Sequence, residues 1–338
     1  MRLFVHTGEV FKAHKVGRFH PEVPERLDYI MSSSPHAGFT VEEPKKGDID
    51  LLLLVHDPWH VETVRTTVLK GLTRLDIDTD VSRESFDVAL WAAGTAVDAA
   101  LRSRPGEIRL ALVRPPGHHA SRTESRGFCI FNNIAIAIEA LRERGMSKIA
   151  IFDFDAHHGD GTQSVFYDRR DVLYVSVHQD PATLYPGTGF PDEVGTGEGE
   201  GYTINMPLPP GSGDEGLLTM TGVAKRIIEM FSPDALGFSM GFDGHHRDPL
   251  TELNYSIMGF YRVGSIFSDL CSRIPCFGTL EGGYDPFGLG KGFWNFAFGL
   301  AGRDAPYTEG GTTGPEKIEA YLNWVKSSVG KYWPLWAR

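Results

Sequence analysis

The chain has 338 residues, 41% of them hydrophobic and 23% charged, which are ordinary values for a globular chain able to bury a sizeable core. Net charge is −11, from 33 Lys and Arg against 44 Asp and Glu, and this argues against a groove that works by neutralising nucleic-acid phosphates. No apolar run approaches the ~18 residues of a membrane span, and the amino terminus lacks the apolar core of a signal peptide.

Leu3 to Val5 reads as a first strand. The stretch His20-Pro21-Glu22-Val23-Pro24-Glu25-Arg26 follows, its prolines favouring extended or turning backbone ahead of a helix marked by Leu27, Ile30 and Met31. Arg26 opens that helix and, taken alone, reads as a surface residue. Leu51 to Val55 is a second apolar run, read as a strand, and Pro58 to Leu69 has helical spacing. Asp76 to Asp80 alternates acidic with other residues but lacks the glycine and closing Glu of a calcium loop, so it reads as an exposed loop. Phe86 to Leu101 is an Ala-rich helix, and Ile108 to Val113 a third strand leading into Arg114-Pro115-Pro116-Gly117-His118-His119. Gly127-Phe128-Cys129 precedes a helix that ends near Arg144 and is closed by Gly145.

The central stretch is Ile149-Ala150-Ile151-Phe152-Asp153-Phe154-Asp155-Ala156-His157-His158-Gly159-Asp160-Gly161. It begins as an apolar run, the pattern of a strand buried on both faces of a parallel sheet. Three carboxylates and two imidazoles follow, a cluster costly to bury unless a divalent metal neutralises it. Asp155 and His157 lie two apart, so an extended backbone points both to one side. One oxygen and one nitrogen begin a mixed site suited to zinc, with iron or manganese as alternatives. The plainer reading of this stretch alone is a capped loop with surface histidines.

Val172 to Val177 is the next strand. The glycine-rich segment Tyr185 to Gly201 carries Asp192, Glu193, Glu198 and Glu200, the wrong sign for a phosphate cradle, and reads as a mobile surface loop. Leu217 to Phe231 is helical, Ala235 to Met240 a strand leading into Gly241-Phe242-Asp243, and Asn254 to Arg273 contains a helix. Pro275 to Leu280 is a last strand running into Glu281-Gly282-Gly283-Tyr284; the rest is helical and aromatic, with Trp324, Trp333 and Trp336. The three cysteines, Cys129, Cys271 and Cys276, form no CxxC pair and fit a reducing, cytoplasmic compartment better than a disulfide framework.

Strands alternating with helices imply a mostly parallel sheet flanked by helices, and no linker divides the chain, so a single domain over 1–338 is expected. Ligands of such sheets bind beyond the carboxyl ends of the strands. His118-His119, Asp155 with His157, Asp243 and Tyr284 each follow a predicted strand, so all four arrive at one edge. Asp155, His157 and Asp243 then supply three metal ligands and leave one position open, the pattern of a catalytic zinc site. The tandem histidines provide a base, Asp153 and Asp160 orient their rings, and Tyr284 can stabilise an oxyanion. Metal, base and oxyanion donor together specify hydrolysis of an amide or ester.

These motifs also carry a resemblance. The Arg114–His119 run, Gly127-Phe128-Cys129, the Asp153–Gly161 run, Gly241-Phe242-Asp243 and Glu281-Gly282-Gly283-Tyr284 resemble the zinc-dependent histone deacetylase superfamily, which includes deacetylase-like amidohydrolases and acetylpolyamine amidohydrolases. The match runs from His20 to Tyr284. It implies the arginase/deacetylase α/β fold, with a central sheet of about eight strands. It makes Asp155, His157 and Asp243 the zinc ligands, with iron as an alternative, and His119, paired with Asp160, the general base and acid. His118, paired with Asp153, becomes an electrostatic partner, and Tyr284 polarises the carbonyl. Gly127, Phe128 and Tyr185 line an acyl-lysine tunnel, although Tyr185 stands where many members have Phe. Arg26 resembles the arginine of an internal acetate-release pocket, reversing the surface reading. Potassium would sit by Asp153, Asp155, the His157 carbonyl and Ser176. Leu250 occupies a rim position where a polyamine-selective branch carries Glu, and Asp78 matches a rim aspartate that holds substrate backbone. The expected substrate is an acylated amine, either acetyl-lysine in a peptide or a small acetylated amine such as a polyamine. No nucleic acid or membrane partner is expected, and a homo-oligomer is left open.

Overall fold

The structure, a computed structural model, describes residues 1–315 and 317–335. Its strands are β1 (Arg2–His6), β2 (Thr40–Glu42), β3 (Glu107–Ala111), β4 (Ile149–Asp153), β5 (Val172–Gln179), β6 (Thr203–Leu208), β7 (Ala235–Met240) and β8 (Cys276–Leu280). They pair in the order β2-β1-β3-β8-β7-β4-β5-β6, and every pairing is parallel. Parallel neighbours require long crossovers. Helices lie in all but the β5–β6 connection: α1 (Arg26–Ser32), α2 (Ile49–Leu52), α3 (Pro58–Leu69), α4 (Ser85–Arg102), α5 (Asn133–Glu143), α6 (Asp160–Phe166), α7 (Asp214–Phe231) and α8 (Ile257–Cys271); α9 (Pro286–Leu300) and α10 (Ile318–Val329) follow β8.

Strand β4 shows why the sheet is covered on both faces. All five of its residues are buried, and the four apolar ones alternate between two apolar clusters. Ala150 and Phe152 pack with Met220, Phe260, Phe267 and Phe296, from α7, α8 and α9. Ile149 and Ile151 face the other way, with Val64, Ala93, Ile134 and Ile138, from α3, α4 and α5. Period-two side chains on a fully covered sheet therefore appear in sequence as an unbroken apolar run.

Some elements differ from the sequence reading. Leu51 to Val55 is not a strand: Asp48 caps α2 by accepting from the Leu51 N–H at 3.0 Å, and turns carry the chain on to α3. Strands β2 and β6 were not expected. β2 is a short, largely exposed edge, and β6 contains Pro207, which a sheet tolerates at its other edge. The segment 185–201 lies at the surface, with Tyr185, Asp192, Glu198 and Glu200 exposed, but it is tied down through Glu193. Glu193 turns its carboxylate to the Gly189 and Phe190 N–H groups at 2.9 and 3.0 Å and to Gln163 at 2.6 Å.

The expectation of free cysteines fails for one pair. Cys271 ends α8 and Cys276 begins β8; the short turn between them leaves their Cα atoms 5.5 Å apart, and they are disulfide-bonded, while Cys129 is free and buried. Trp324 and Trp333 lie on and just after α10, and Trp336 lies outside the described residues. Among the described residues, no helix is long and apolar enough to cross a membrane.

Candidate active site

Because all strands run the same way, the carboxyl ends of β3, β4, β7 and β8 open onto one edge. The loop after β3 carries His118 and His119, the loop after β4 carries Asp155 and His157, and those after β7 and β8 bring Asp243 and Tyr284. A pocket of about 250 Å³ forms where they meet, lined by His118, His119, Asp155, His157, Gly282 and Tyr284 at its depth and by Asp78, Gly127, Phe128, Tyr185 and Leu250. Asp153, Asp160, Asp243 and Arg26 are not in the lining.

Asp155, His157 and Asp243 offer ligand atoms that all lie within 4.8 Å of one another. His157 Nδ1 is 2.8 Å from Asp243 Oδ2 and 3.3 Å from Asp155 Oδ1. Backbone N–H groups fix the carboxylates: Gly282 donates to Asp155 Oδ2 at 2.7 Å, His157 to Asp155 Oδ1 at 2.9 Å, and Ala156 to Asp243 Oδ1 at 2.8 Å. The chain comes so close that a Cβ at Gly241 or Gly282 would overlap these carboxylates, which explains the glycines. Burial alone would lower His157, yet its hydrogen bonds to Asp155 and Asp243 push it up to about 10. The cluster thus favours positive charge, and its two oxygens and one nitrogen suit a divalent zinc-like cation. The donor set fits.

The tandem histidines sit against this cluster, each tied from behind. His118 Nδ1 is 3.2 Å from Asp153 Oδ2 and its Nε2 faces Asp155 Oδ1 at 3.9 Å, while His119 Nδ1 is 2.7 Å from Asp160 Oδ1, which leaves Nε2 of His119 to face the pocket. Burial opposes charge on both. In His118 the Asp155 and Asp153 carboxylates overcome it and hold the ring well above the ordinary range. In His119 burial is reinforced by His118 and pushes the ring down to about 4, so it stays neutral and able to accept a proton. The Tyr284 phenol is raised well above 10 by burial, which keeps its proton available for donation.

The pocket walls are aromatic. Phe128, at φ +67°, meets Tyr284 edge-on with centroids 5.8 Å apart, and Tyr185 meets His119 at 5.2 Å. A left-handed non-glycine residue beside an active pocket is a strained placement held by its surroundings. Here His20 packs on the Phe128 ring at 4.5 Å, and the Asp78 carboxylate accepts from Gly127 N–H at 3.1 Å.

Arg26 is fully buried, as the family resemblance implied and its helical spacing did not. It donates to the carbonyls of Gly283 and Glu281 at 2.8 and 2.5 Å and pairs with Glu22 at 3.0 Å, while its guanidinium lies 5.0 Å from the centre of the Tyr284 ring. Glu22 also takes Arg114, at 2.5 and 2.7 Å, making a buried arginine–glutamate–arginine unit behind the pocket.

Sequence reasoning missed three contributors. Glu281 was read only as part of a motif, but its carboxylate accepts from the N–H groups of Gly117 and His118 at 2.7 and 3.1 Å, locking the β8 loop to the β3 loop. Asp248 accepts from the N–H groups of Tyr284 and Leu250 at 2.7 and 3.0 Å. Arg126 bridges Asp160 and the Tyr185 hydroxyl. The Asp248-Pro249 dipeptide, a turn-forming pair, was a usable signal for the second of these; the other two leave no local trace.

Comparison with known proteins gives one consistent result. Residues 20–299 match the family profile described as histone deacetylase domain. A probable deacetylase of Methanothermobacter thermautotrophicus is 44% identical over 86% of this chain and 87% of its own length. An acetylpolyamine amidohydrolase of Burkholderia pseudomallei is 37% identical over 79% of this chain and 87% of its own. Among solved structures, the HDA15 HD domain superposes with a TM-score of 0.87 at 31% identity, covering 98% of this chain and 96% of that one.

Proposed function

The chain belongs to the histone deacetylase family, and we propose that it is one catalytic domain over 1–338 that hydrolyses the amide of an acetyl or other short acyl group on a lysine-like amine. The observation that carries this is the meeting of His118, His119, Asp155, His157 and Tyr284 at the depth of one pocket whose walls include Phe128 and Tyr185. Deacetylase and amidohydrolase are the activities in the relatives' names.

In this reading Asp155, His157 and Asp243 hold one zinc ion, with iron as the alternative. The bound ion supplies Lewis-acid polarisation and a more acidic water. The chain does the rest. Tyr284 donates a hydrogen bond from its phenol to the substrate carbonyl oxygen as charge develops there and keeps its proton. His119 takes the proton of the attacking water at Nε2 and later gives it to the departing amine nitrogen. Asp160 holds His119 in the tautomer this requires. His118, backed by Asp153, offsets charge beside the reacting centre. Phe128 and Tyr185, with Gly127, admit an unbranched methylene chain and keep water from its length. Asp78 holds the substrate backbone at the rim, and Arg26 guides acetate through the internal pocket. Asp153, Asp155, the His157 carbonyl and Ser176 hold potassium; Asp153 and Ser176 are register partners on β4 and β5, and oxygen donors suit a hard cation.

Leu250 gives the rim an apolar contact, which suits the neutral backbone around an acetyl-lysine. A second reading, an acetylpolyamine amidohydrolase, is favoured by the Asp78 carboxylate in the same lining, which would pair with a further ammonium. Steady-state kinetics separates them. Acetyl-lysine peptide is expected to give a higher kcat/KM than acetylputrescine or acetylspermidine, and Leu250→Glu to shift the ratio toward polyamines. A tenfold wild-type preference for acetylpolyamines reverses the order of the two readings.

A further inference from the structure

We infer that His245, His246 and Glu309 form a second divalent-metal site of zinc-like preference, outside the catalytic pocket and filled from bulk solvent. Their ligand atoms all lie within 4.8 Å of one another. His245 Nε2 is 3.2 Å from Glu309 Oε2, and His246 Nε2 is 3.8 Å from Glu309 Oε1. Donors bound at ~2.0–2.1 Å around tetrahedral zinc lie about 3.3 Å apart, so an ion fits between them with small side-chain adjustments.

The hydrogen bonding of His246 adds an independent argument. Its Nδ1 is 3.3 Å from the Tyr255 carbonyl, which can only accept, so Nδ1 carries the hydrogen. In the neutral ring, Nε2 then turns a lone pair toward a carboxylate. Two acceptors face each other, and a cation between them removes the conflict. Among the described residues, Glu309 has no lysine or arginine partner; its ion-pair contacts are the two histidines. The other such cluster outside the pocket among the described residues, His6 with Glu42 and Asp98, differs here. Arg102 pairs with both of its carboxylates and Arg109 with Glu42, so its negative charge is already met.

His245 sets the strength of the site. Its Nδ1 now accepts from the Arg247 N–H at 3.3 Å, which leaves the hydrogen on Nε2. Binding requires the other tautomer, with Nδ1–H turned toward Asp285 Oδ1, 4.0 Å away. That is the carboxylate–histidine–metal arrangement, but it gives up the Arg247 bond. The site is therefore the weaker of the two. It is also open, because His245 is buried while the His246 side chain is about a third exposed. Glu309 accepts from the Ile257 N–H at 2.8 Å at the start of α8. An ion here would clamp the segment between α9 and α10 onto the β7–α8 connection.

Calorimetric titration of the zinc-loaded holoenzyme with zinc chloride at neutral pH tests this. The wild type is expected to take up about one further equivalent, with a rise in unfolding temperature. His246→Ala and Glu309→Gln are each expected to lose both effects while keeping wild-type turnover. The site does not depend on the catalytic reading, so Asp155→Ala should keep the His246-dependent equivalent even as it loses the pocket ion. A wild type that takes up no further zinc overturns the inference, as does a second equivalent that survives in both variants.

Discussion

Arg126 donates from Nε to the hydroxyl of Tyr185 at 3.1 Å, and the same guanidinium pairs with Asp160 at 3.2 Å. One side chain thus joins the pocket wall to the carboxylate behind His119. A phenylalanine at 185 could not accept this bond, so the wall residue and the arginine act as a unit. Arg126→Ala is expected to lower kcat/KM by roughly tenfold, about 1.4 kcal/mol in the barrier. Arg126→Lys should recover part of it, and a shifted pH–rate profile would separate positioning of Asp160 from simple loosening of the wall. Unchanged kinetics in Arg126→Ala would remove this link.

Tyr284→Phe removes one donor and little volume. Turnover should fall by ~10²–10³, the usual loss for one oxyanion donor, with metal content and unfolding temperature unchanged. His119→Ala should be at least as damaging, since it removes proton transfer in both directions. Wild-type rates in either variant would show that the assigned roles are wrong.

Asp155→Ala and Asp243→Ala each leave two ligands. Elemental analysis after gel filtration in metal-free buffer should find one tightly held zinc-like ion per wild-type chain and none in these variants. Chelation should abolish activity, and added zinc should restore it. Activity that persists without any transition metal would exclude the proposed chemistry.

Glu22 sits with no solvent exposure between Arg114 and Arg26. Burial alone would raise its carboxyl, and the two guanidiniums instead hold it below the usual range. Glu22→Gln strands two buried cations, so a loss of ~3–5 kcal/mol is expected in urea unfolding. A change under 1 kcal/mol, on the scale of an exposed ion pair, would contradict this account.

Stability should also fall in mild acid. Burial pushes His14 down to about 4 and His56 to about 3, from 6.5 when unfolded. The folded chain holds these rings neutral, so the unfolded chain binds more protons below 6.5. Their contribution is complete above pH 6.5 and is lost as pH falls toward 4, about 3 kcal/mol for His14 alone by then. Urea midpoints at pH 7, 6 and 5 should decline in order, and His14→Gln should flatten the decline. A flat wild-type profile over this range would be the opposite result.

What the sequence disclosed and what it hid follow from the range of the interactions. Strand β4 and the candidate ligands that follow it were readable because a fully covered strand is an apolar run and two-residue spacing sets the face. The tandem histidines, Asp243 and Tyr284 were readable because each followed such a run, whereas Asp78, Gly127, Phe128, Tyr185 and Leu250 were reached only through the family resemblance. Strand β6 was not, since Asn205 and Pro207 interrupt the apolar pattern and only an edge position makes them acceptable. The burial of Arg26 could not be read from helical spacing, because two of its acceptors are carbonyls more than 250 residues away. Glu281 is similar, since it acts on N–H groups of a loop brought beside it only by the pairing of β3 with β8.

The carboxylates of Asp155 and Asp243 are fastened by peptide N–H groups from three different residues, with the His157 ring between them. Under the proposed metal reading, a cage held in that way is assembled before its ion arrives, so loading would follow folding instead of driving it. Asp155 and Asp243 are sealed, and His157 alone of the three has appreciable side-chain exposure, at 12%. It lines the pocket proposed to receive the substrate. In that reading ion and substrate would share one doorway. A slow product or an inhibitor lodged there locks the ion inside, and an occupied enzyme should surrender its metal to a chelator more slowly than an empty one.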